Sequence, residues 1–247
     1  MLNRFSRTEL LLGEENMSKL AQSKIAIFGI GGVGSYVAEG LARCGIGKFI
    51  LIDSDDISLT NINRQIHALE TTIGQKKTLM MKERILAINP QAKVTTIEKL
   101  YTPESNFFNW DDDYTYIVDA VDDVKAKINL IVNANKHNLP IMSSMGTANK
   151  LDPQKFVITD IYKTHTCPLA RIMRKTLKQQ GIKKLKVLYS TEEPFTNYTV
   201  KFKENTSKDN SPASTRKQPL GSISFVPPIA GLMIAGEIVK DICQINR

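Results

Sequence analysis

A glycine-rich turn that follows the first apolar segment constrains the fold of this chain more than any other feature. The stretch IAIFGIGGVGS, residues 25–35, places Gly29, Gly31 and Gly34 at the spacing G-x-G-x-x-G, with Gly32 between them. Glycines at this spacing let a strand turn tightly into a helix and let the backbone approach a phosphate, which rests on the helix N-terminus. The turn therefore predicts a nucleotide-binding βαβ unit, but binders of NAD and of ATP share it.

Strand-like and helix-like segments alternate along the first two thirds of the chain. Residues 34–47 have the apolar spacing of a helix and end at two glycines, and KFILIDSDD, residues 48–56, is a second apolar strand that ends in acids. The alternation continues through LPIMSSMG, residues 139–146. We therefore predict an α/β fold with a Rossmann-like, doubly wound and mostly parallel sheet.

Charge divides the chain into two regions. Residues 1–160 carry 18 Lys and Arg against 19 Asp and Glu, whereas residues 161–247 carry 15 against 6 and so hold all of the excess in a net charge of +8. We predict a nucleotide-binding core over residues 1–160. A basic C-terminal region over residues 161–247 is expected to pack on the same domain, with a mobile loop at 203–219 and a closing apolar helix at 227–242. Such an excess favours a polyanionic partner.

Part of this charge lies on one predicted helix, PLARIMRKTLKQQG, residues 168–181. Its spacing predicts an apolar stripe of Leu169, Ile172, Met173 and Leu177, and it places four cations on the opposite face: Arg171, Arg174, Lys175 and Lys178. Residues 161–191 contain no acidic side chain. A solvated basic face and a surface that contacts nucleic-acid phosphates both fit this pattern.

Composition and cysteine content favour a reduced, cytoplasmic protein. The chain contains no run of 18 apolar residues and its first ten residues lack the apolar core of a signal peptide, so we predict no membrane span. Its three cysteines, Cys44, Cys167 and Cys243, form no C-x-x-C pair. This argues against a disulfide framework and against a four-thiolate zinc site.

Polar residues after the second strand favour ATP over NAD. The segment DSDDISLTNINRQIH, residues 53–67, supplies Asp53, Asp55, Asn61 and Arg64, and Lys77 follows in GQKK. A carboxylate at the position of Asp53 can accept hydrogen bonds from ribose hydroxyls in either nucleotide. Two cations suit a site that neutralises a triphosphate and stabilises a pyrophosphate leaving group, and NAD carries no triphosphate.

Two further carboxylates, Asp119 and Asp122 in VDAVDD, end the third strand of the predicted parallel sheet. Ligands of such sheets bind at the carboxyl edge of the strands. A carboxylate at this edge can hold Mg²⁺ against the phosphates.

In this order and spacing, GIGGVGS, DSDDISLTNINRQ, GQKK and DAVDD resemble the adenylating domain of the ubiquitin-activating-enzyme-like (ThiF-MoeB-HesA) superfamily. Its members use ATP to convert a carboxylate into an acyl-adenylate. The leading RFSRTELLLG resembles the N-terminal arginine motif of that superfamily, in which an arginine reaches the ATP of the partner subunit. The resemblance implies a homodimer, with Arg7 as the best match to this arginine and Arg4 as the alternative.

A closer resemblance is to one branch, the tRNA threonylcarbamoyladenosine dehydratases, and it spans about residues 4–240. It is carried by NRQIHAL, SSMGTANKLDP and ITDIYKTHTCPLARIMRKTLK. It implies as substrate the N6-threonylcarbamoyladenosine beside the tRNA anticodon. In that branch ATP activates the threonyl carboxylate, and a nitrogen or oxygen of the carbamoyl group closes a ring with loss of AMP. The net change is loss of water.

The resemblance also implies roles for individual residues. Gly29, Gly31, Gly32 and Gly34 would line the phosphates, Asp53 would bind the ribose with Asp55 beside it, Asn61, Arg64 and Lys77 would contact the triphosphate, and Asp122 would bind Mg²⁺. Catalysis would rest on charge stabilisation by Arg64, Lys77, Asp122 and the partner's Arg7. Some members bind a monovalent cation, Na⁺ or K⁺, which we expect at SSMGTANK, residues 143–150. The basic helix face would contact the tRNA backbone.

Two alternatives remain open. The first is an adenylating enzyme that serves a ubiquitin-like sulfur carrier protein as partner, although such enzymes usually carry paired C-x-x-C zinc motifs. The second is a binding or NAD-dependent protein that keeps only the fold.

Several reactive residue types have a structural interpretation. Cys167 lies where ubiquitin-activating enzymes suggest a thioester cysteine, but relatives in the dehydratase branch carry aspartate there, which disfavours a nucleophile. Cys44 and Cys243 are expected in the core. His67 and His137 are expected to be structural or solvated, and His165 is the better candidate for substrate contact. Asp111 to Asp113 read as a solvated turn.

Overall fold

The strands form one mixed sheet that is parallel except at one edge. In the computed structural model, which describes residues 2–195 and 220–245, the strand order is β3-β2-β1-β4-β5-β7-β6. Only the pair of β6 and β7 is antiparallel. The strands are β1 (Lys24–Phe28), β2 (Lys48–Ile52), β3 (Lys93–Ile97), β4 (Tyr116–Asp119), β5 (Ile141–Ser144), β6 (Phe156–Asp160) and β7 (Lys186–Ser190).

Helices cover both faces of this sheet. They are α1 (Ser6–Leu12), α2 (Glu14–Gln22), α3 (Gly34–Arg43), α4 (Lys77–Ile88), α5 (Val124–Lys136), α6 (Pro168–Gln179) and α7 (Val226–Cys243). Ile25 and Ile27 of β1 belong to a core shared with α3, α4 and α7. Ala26 and Phe28 belong to the opposite core, shared with α5. This alternation buries both faces of the central strand, as a doubly wound sheet requires, and confirms the predicted fold class.

The chain reverses its direction across the sheet between β1 and β4. Strands β2 and β3 lie on one side of β1, whereas β4 and β5 lie on the other side. The loops that leave β1 and β4 therefore separate at this point and open a crevice at the carboxyl edge, where ligands of such sheets bind.

The C-terminal third completes the sheet rather than extending it. The sequence pattern predicts no strand after residue 160, yet β7 lies between β5 and β6. Its last four residues are buried, so KVLYS has no polar alternation that reveals a strand. Lys186 also binds Glu237 and Asp241 of α7 at 3.0 and 2.7 Å, which ties the closing helix to the sheet.

Two further differences concern helices. The sequence pattern does not predict α1 and α2, because α1 buries no residue and α2 buries only Leu20. The predicted apolar stripe of α6 is wrong at Ile172, which is 52% exposed, whereas Met173 and Leu177 are buried. The predicted loop at 203–219 lies outside the described residues. No helix in the described ranges is both long and apolar enough to cross a membrane.

Close packing of α7 on α3 depends on a glycine. A Cβ at Gly231 would lie 2.4 Å from the carbonyl oxygen of Val33, whereas a Cβ at Gly236 on the same helix meets nothing within 4 Å. We expect Gly231→Ala to lower the free energy of unfolding by about 1–3 kcal/mol, because backbone must move.

The control is Gly236→Ala, which we expect to raise the free energy of unfolding by about 0.5–1 kcal/mol through helix propensity. Urea unfolding followed by circular dichroism measures both variants. Equal effects of the two substitutions would contradict this packing.

Candidate active site

A crevice of about 620 Å³ lies at the carboxyl ends of β1, β2 and β4. It brings together most of the residues that the sequence points to: Gly29, Gly31, Gly32, Asp53, Asp55, Asn61, Arg64, Lys77 and Asp122. Gly34 does not line the crevice but begins α3 beneath it. The parallel strands account for this convergence, since their polar ends meet at one edge.

The glycines of the turn serve two different purposes. Gly29 has a φ of +86° and a Cβ there would lie 2.6 Å from the carbonyl oxygen of Ala120. A Cβ at Gly34 would lie 1.8 Å from the carbonyl oxygen of Gly29. Both are required by the chain's own packing. A Cβ at Gly31 would meet only the Gln65 amide nitrogen at 3.9 Å, so the packing of the chain does not require a glycine here. The missing side chain instead leaves space in the crevice for a ligand.

The two predicted cations, Lys77 and Arg64, both line the crevice but differ in burial and in charge pairing. Lys77 begins α4 and is buried, with its Nζ 2.6 Å from Oδ2 of the exposed Asp55 carboxylate. Arg64 donates from Nη1 to the Thr60 carbonyl oxygen at 2.9 Å and to Asn63 Oδ1 at 2.8 Å. Within residues 2–195 and 220–245, Arg64 has no carboxylate partner, so it brings an uncompensated positive charge to the crevice.

Asp53 connects the glycine turn to the loop that follows β2. Its Oδ2 accepts from the backbone N–H of Ile30 at 2.7 Å and its Oδ1 accepts from that of Asp55 at 2.9 Å. Burial raises the pKa of Asp53, and the charge of Lys77 opposes this shift. Each oxygen still has a lone pair for a ribose hydroxyl.

Asn61, which lines the same crevice, ends a short 3₁₀ turn and is buried. Its Oδ1 accepts from the backbone N–H of Ser58 at 3.1 Å, which holds the turn that carries Arg64.

The two carboxylates at the end of β4 and in the loop after it have different environments. Asp119 is fully buried, with Lys127 Nζ 3.0 Å from each of its oxygens and the Ser143 hydroxyl donating to Oδ2. It therefore forms a structural ion pair and is not available to a metal. Asp122 is exposed in the crevice and hydrogen-bonds to no described residue, which fits a carboxylate that binds Mg²⁺. The described residues contain no group of three or more His, Cys, Asp or Glu that could hold a metal.

The structure adds crevice residues that the sequence argument does not identify as ligands. Lys127 lies at the base of the crevice, and its only sequence signal is a lysine on an otherwise apolar helix face. Gln65 is buried, and its Oε1 has no hydrogen-bond partner among the described residues. Leu100 is 67% exposed at the crevice rim, next to Tyr101. An apolar residue three positions after β3 is no distinctive signal, so the sequence alone does not identify it.

The remaining histidines and acids take structural positions or lie at the surface. His137 binds Asp111 at 3.0 Å and stacks on Trp110. Lys24 binds Asp112 and Asp113 at 2.5 and 2.9 Å, so this acidic turn is a surface ion-pair cluster. His165 is exposed, and its Nδ1 lies 2.8 Å from the Thr166 hydroxyl.

The cysteines lie outside the crevice lining. Cys167 is 4% exposed, and its Sγ accepts from the backbone N–H of Ala170 at 3.5 Å, which caps α6. Cys44 and Cys243 pack in or against the main core, and burial raises the pKa of both thiols.

Three of the four cations predicted on the basic face of α6 are exposed, and the fourth is held by a neighbouring loop. Arg171, Lys175 and Lys178 are exposed, but Arg174 donates to the Thr164 carbonyl oxygen at 2.9 Å and to its hydroxyl at 2.5 Å. Arg174 therefore fixes the loop before α6 instead of facing solvent freely. The helix begins beside the crevice, because Leu169 lines it.

The two N-terminal arginines do not reach the crevice of their own chain. Arg4 and Arg7 are both exposed near and on α1, and neither lines the crevice. The same helix exposes Leu10 and Leu11 at 89% and 80%.

The sheet order, with the crevice at its carboxyl edge, defines a Rossmann-like α/β protein. A family model described as "ThiF family" matches residues 5–247. The chain belongs to the ThiF family.

The chain is similar to members of one branch of this family. A tRNA threonylcarbamoyladenosine dehydratase of Bacillus subtilis (strain 168) is 44% identical over 251 residues, covering 99% of this chain and 96% of that protein. The Escherichia coli (strain K12) protein of the same name is 42% identical over 175 residues, covering 71% of this chain and 65% of that protein. The E. coli dehydratase TcdA crystallised with ATP has a TM-score of 0.83 at 32% identity, covering 98% of this chain and 94% of that chain. The resemblance to the dehydratase branch is confirmed.

The buried His67 makes the stability of the protein depend on pH. Its ring packs against the start of the glycine turn, and burial lowers its pKa from 6.5 to about 4, with the cations Lys77 and Arg84 facing it. In the unfolded chain the ring binds a proton near pH 6.5. The contribution of the neutral, buried His67 ring to stability is therefore fully present above pH 6.5 and is lost as pH falls towards 4. The shift corresponds to roughly 3 kcal/mol.

We expect His67→Gln to flatten this part of the stability curve relative to the unchanged protein. Urea unfolding between pH 7 and pH 4 measures the difference, and carboxylates titrate equally in both proteins. Parallel curves for the two proteins would show that His67 is not buried in the neutral form.

Proposed function

We propose that this protein uses ATP to cyclise N6-threonylcarbamoyladenosine, next to the anticodon of tRNA, through an acyl-adenylate. The observation that carries the proposal is a glycine turn that faces two cations and a free carboxylate in one crevice. The near full-length similarity to a B. subtilis dehydratase and the ATP complex of E. coli TcdA support it.

The crevice lining suggests how ATP binds. Ile52, Leu100 and Ala126 line one part of the crevice, and the exposed Leu100 would cover the adenine there. Asp53 in the same lining would accept from the ribose hydroxyls. The phosphates then run along Gly31 and Gly32, just before the start of α3, where backbone N–H groups favour anions. Arg64 and Lys77 would contact the triphosphate, with Asn61 beside them. The triphosphate competes with the Asp55 carboxylate for the Lys77 ammonium.

The reaction needs two displacements. The threonyl carboxylate of the substrate attacks the α-phosphorus and expels pyrophosphate, which leaves an acyl-adenylate. A nitrogen or oxygen of the carbamoyl group then attacks the acyl carbon, closes the ring and expels AMP.

Arg64 and Lys77 stabilise the charge that develops on the phosphates, and placing the reactants together supplies much of the remaining rate enhancement. Asp122 would hold Mg²⁺, with phosphate oxygens as further ligands, and the ion would neutralise the triphosphate.

A second subunit and a monovalent cation would complete the site. A homodimer would bring Arg7 to the ATP of the partner subunit, and the exposed Leu10 and Leu11 of the same helix would supply apolar contact area. A monovalent cation, Na⁺ or K⁺, would lie along residues 143–150, of which residues 144–148 line the crevice. A tRNA substrate implies a cytoplasmic location.

The direct test combines the purified protein, Mg²⁺, ATP and tRNA that carries threonylcarbamoyladenosine. Mass spectrometry of the digested nucleosides should show a product lighter by one water. We expect Lys77→Ala to lower the rate about 100-fold or more, because it removes charge stabilisation of the transition state.

Lys76→Ala is the matched control, because Lys76 pairs with Asp56 outside the crevice at 2.6 Å. Its rate should stay within about twofold of the unchanged protein. Equal rates for all three proteins would contradict the proposal, as would a product that forms without ATP.

The alternative substrate is a ubiquitin-like sulfur carrier protein. ATP–pyrophosphate exchange distinguishes the modified tRNA from a carrier protein as substrate, because each stimulates exchange only in an enzyme that adenylates it. Exchange that depends on a carrier protein and ignores the modified tRNA would favour the alternative.

The exposed cations of α6 would bind the tRNA backbone. Arg171, Lys175 and Lys178 are exposed on α6, which begins beside the crevice at Leu169, and residues 161–191 include no acid to offset them. Replacing all three with Gln should weaken tRNA binding and reduce the slope of log affinity against log salt by about 2–3, one counterion for each lost phosphate contact.

Fluorescence anisotropy with labelled tRNA over a salt series measures this slope. The control is Lys93→Gln on β3, the edge strand at the other side of the sheet. An unchanged slope in the triple variant would rule out this face as the tRNA contact.

A further inference from the structure

His67 lies against Ile30, the second residue of the glycine turn. The ring is 4% exposed, and its Nε2 is 2.8 Å from the carbonyl oxygen of Ile30. A carbonyl oxygen only accepts hydrogen bonds, so Nε2 must carry the proton. The other ring nitrogen, Nδ1, is buried and has no partner among the described residues, which fits a neutral ring with an unprotonated Nδ1.

Ile30 is held from both sides by side chains of other segments. Its carbonyl oxygen accepts from His67, and its N–H donates to Asp53 Oδ2 at 2.7 Å. Its neighbours are Gly29, with a φ of +86°, and Gly31, which lines the crevice. A turn flanked by glycines has many accessible backbone conformations, and two hydrogen bonds to Ile30 select one of them.

The contact of His67 is part of a continuous chain that ends at a cation. Asp53 accepts from Ile30 with one oxygen and from the Asp55 N–H with the other, and Asp55 in turn binds Lys77 at 2.6 Å. His67 and Lys77 are therefore connected through three hydrogen bonds and one ion pair, and the path passes through the glycine turn at Ile30.

We propose that His67 is a positioning residue for the nucleotide: through Ile30 it holds the glycine turn in the conformation that binds the phosphates. The proposal rests on the proposed function only in its use of ATP. His67 does not line the crevice, so it acts without touching the nucleotide.

The test compares His67→Leu, which removes the donor, with His67→Gln, whose amide can donate to the same carbonyl. We expect His67→Leu to weaken ATP binding, measured by calorimetry, about tenfold. It should also raise KM for ATP more than it lowers kcat. His67→Gln should restore binding to within about threefold of the unchanged protein, because it replaces the donor.

A merely structural role gives a different result. Both variants would then melt at a lower temperature, while the folded fraction binds ATP with unchanged affinity, and this outcome would overturn the proposal. Equal losses of affinity in both variants would overturn it too. If the unchanged protein binds no ATP, the proposed function and the role of His67 both fail, whereas ATP binding that is unaffected in the folded variants overturns the role of His67 alone.

A measurement on the unchanged protein covers the case in which His67→Leu does not fold. Nitrogen-15 NMR of labelled histidine distinguishes the two neutral tautomers. We expect His67 to show a protonated Nε2 and an unprotonated Nδ1 at neutral pH. A protonated Nδ1 would remove the hydrogen bond to Ile30 and with it the proposal.

Discussion

Close backbone contact at the end of β1 is the constraint on which the rest of the site depends. A Cβ at Gly34 would lie 1.8 Å from the Gly29 carbonyl oxygen, so α3 can begin directly beneath the turn only if residue 34 is glycine. This start directs the N-terminus of α3 into the crevice and leaves Gly31 open above it. The parallel neighbours β2 and β4 then deliver Asp53 and Asp122 to the same edge. One steric requirement therefore sets the place where a phosphate chain can rest.

The crevice separates charges that maintain the fold from charges that are available for chemistry. Asp119 and Lys127 neutralise each other below the surface, where an unpaired partner would be strongly destabilising. Asp122 and Arg64 pair with no opposite charge among the described residues, and Lys77 holds only an exposed carboxylate. A nucleotide with Mg²⁺ complements this set, since it offers negative phosphates to the cations and a metal to the carboxylate.

The features that depend on local patterns could be predicted from the sequence, and those that depend on long-range packing could not. Glycine spacing and strand-end acids located the crevice residues, and the alternation of elements predicted the doubly wound sheet. The strand β7 was missed, because a strand buried on both faces has no periodic signal. The ion pair of Asp119 and the hydrogen bond of Arg174 also could not be predicted, since the fold brings their partners Lys127 and Thr164 near. The orientation of His67 towards Ile30 depends on contact across 37 residues and leaves no local trace.

The proposed function requires this crevice to direct a carboxylate to the α-phosphorus of ATP. Transfer of an oxygen isotope tests it most directly. The modified tRNA is prepared with oxygen-18 in the threonyl carboxylate, and the nucleotide product is analysed by mass spectrometry after one turnover. If the carboxylate attacks the α-phosphorus, one labelled oxygen appears in AMP, because the acyl-adenylate breaks at its acyl carbon. Label in inorganic phosphate, or AMP without label, would contradict it.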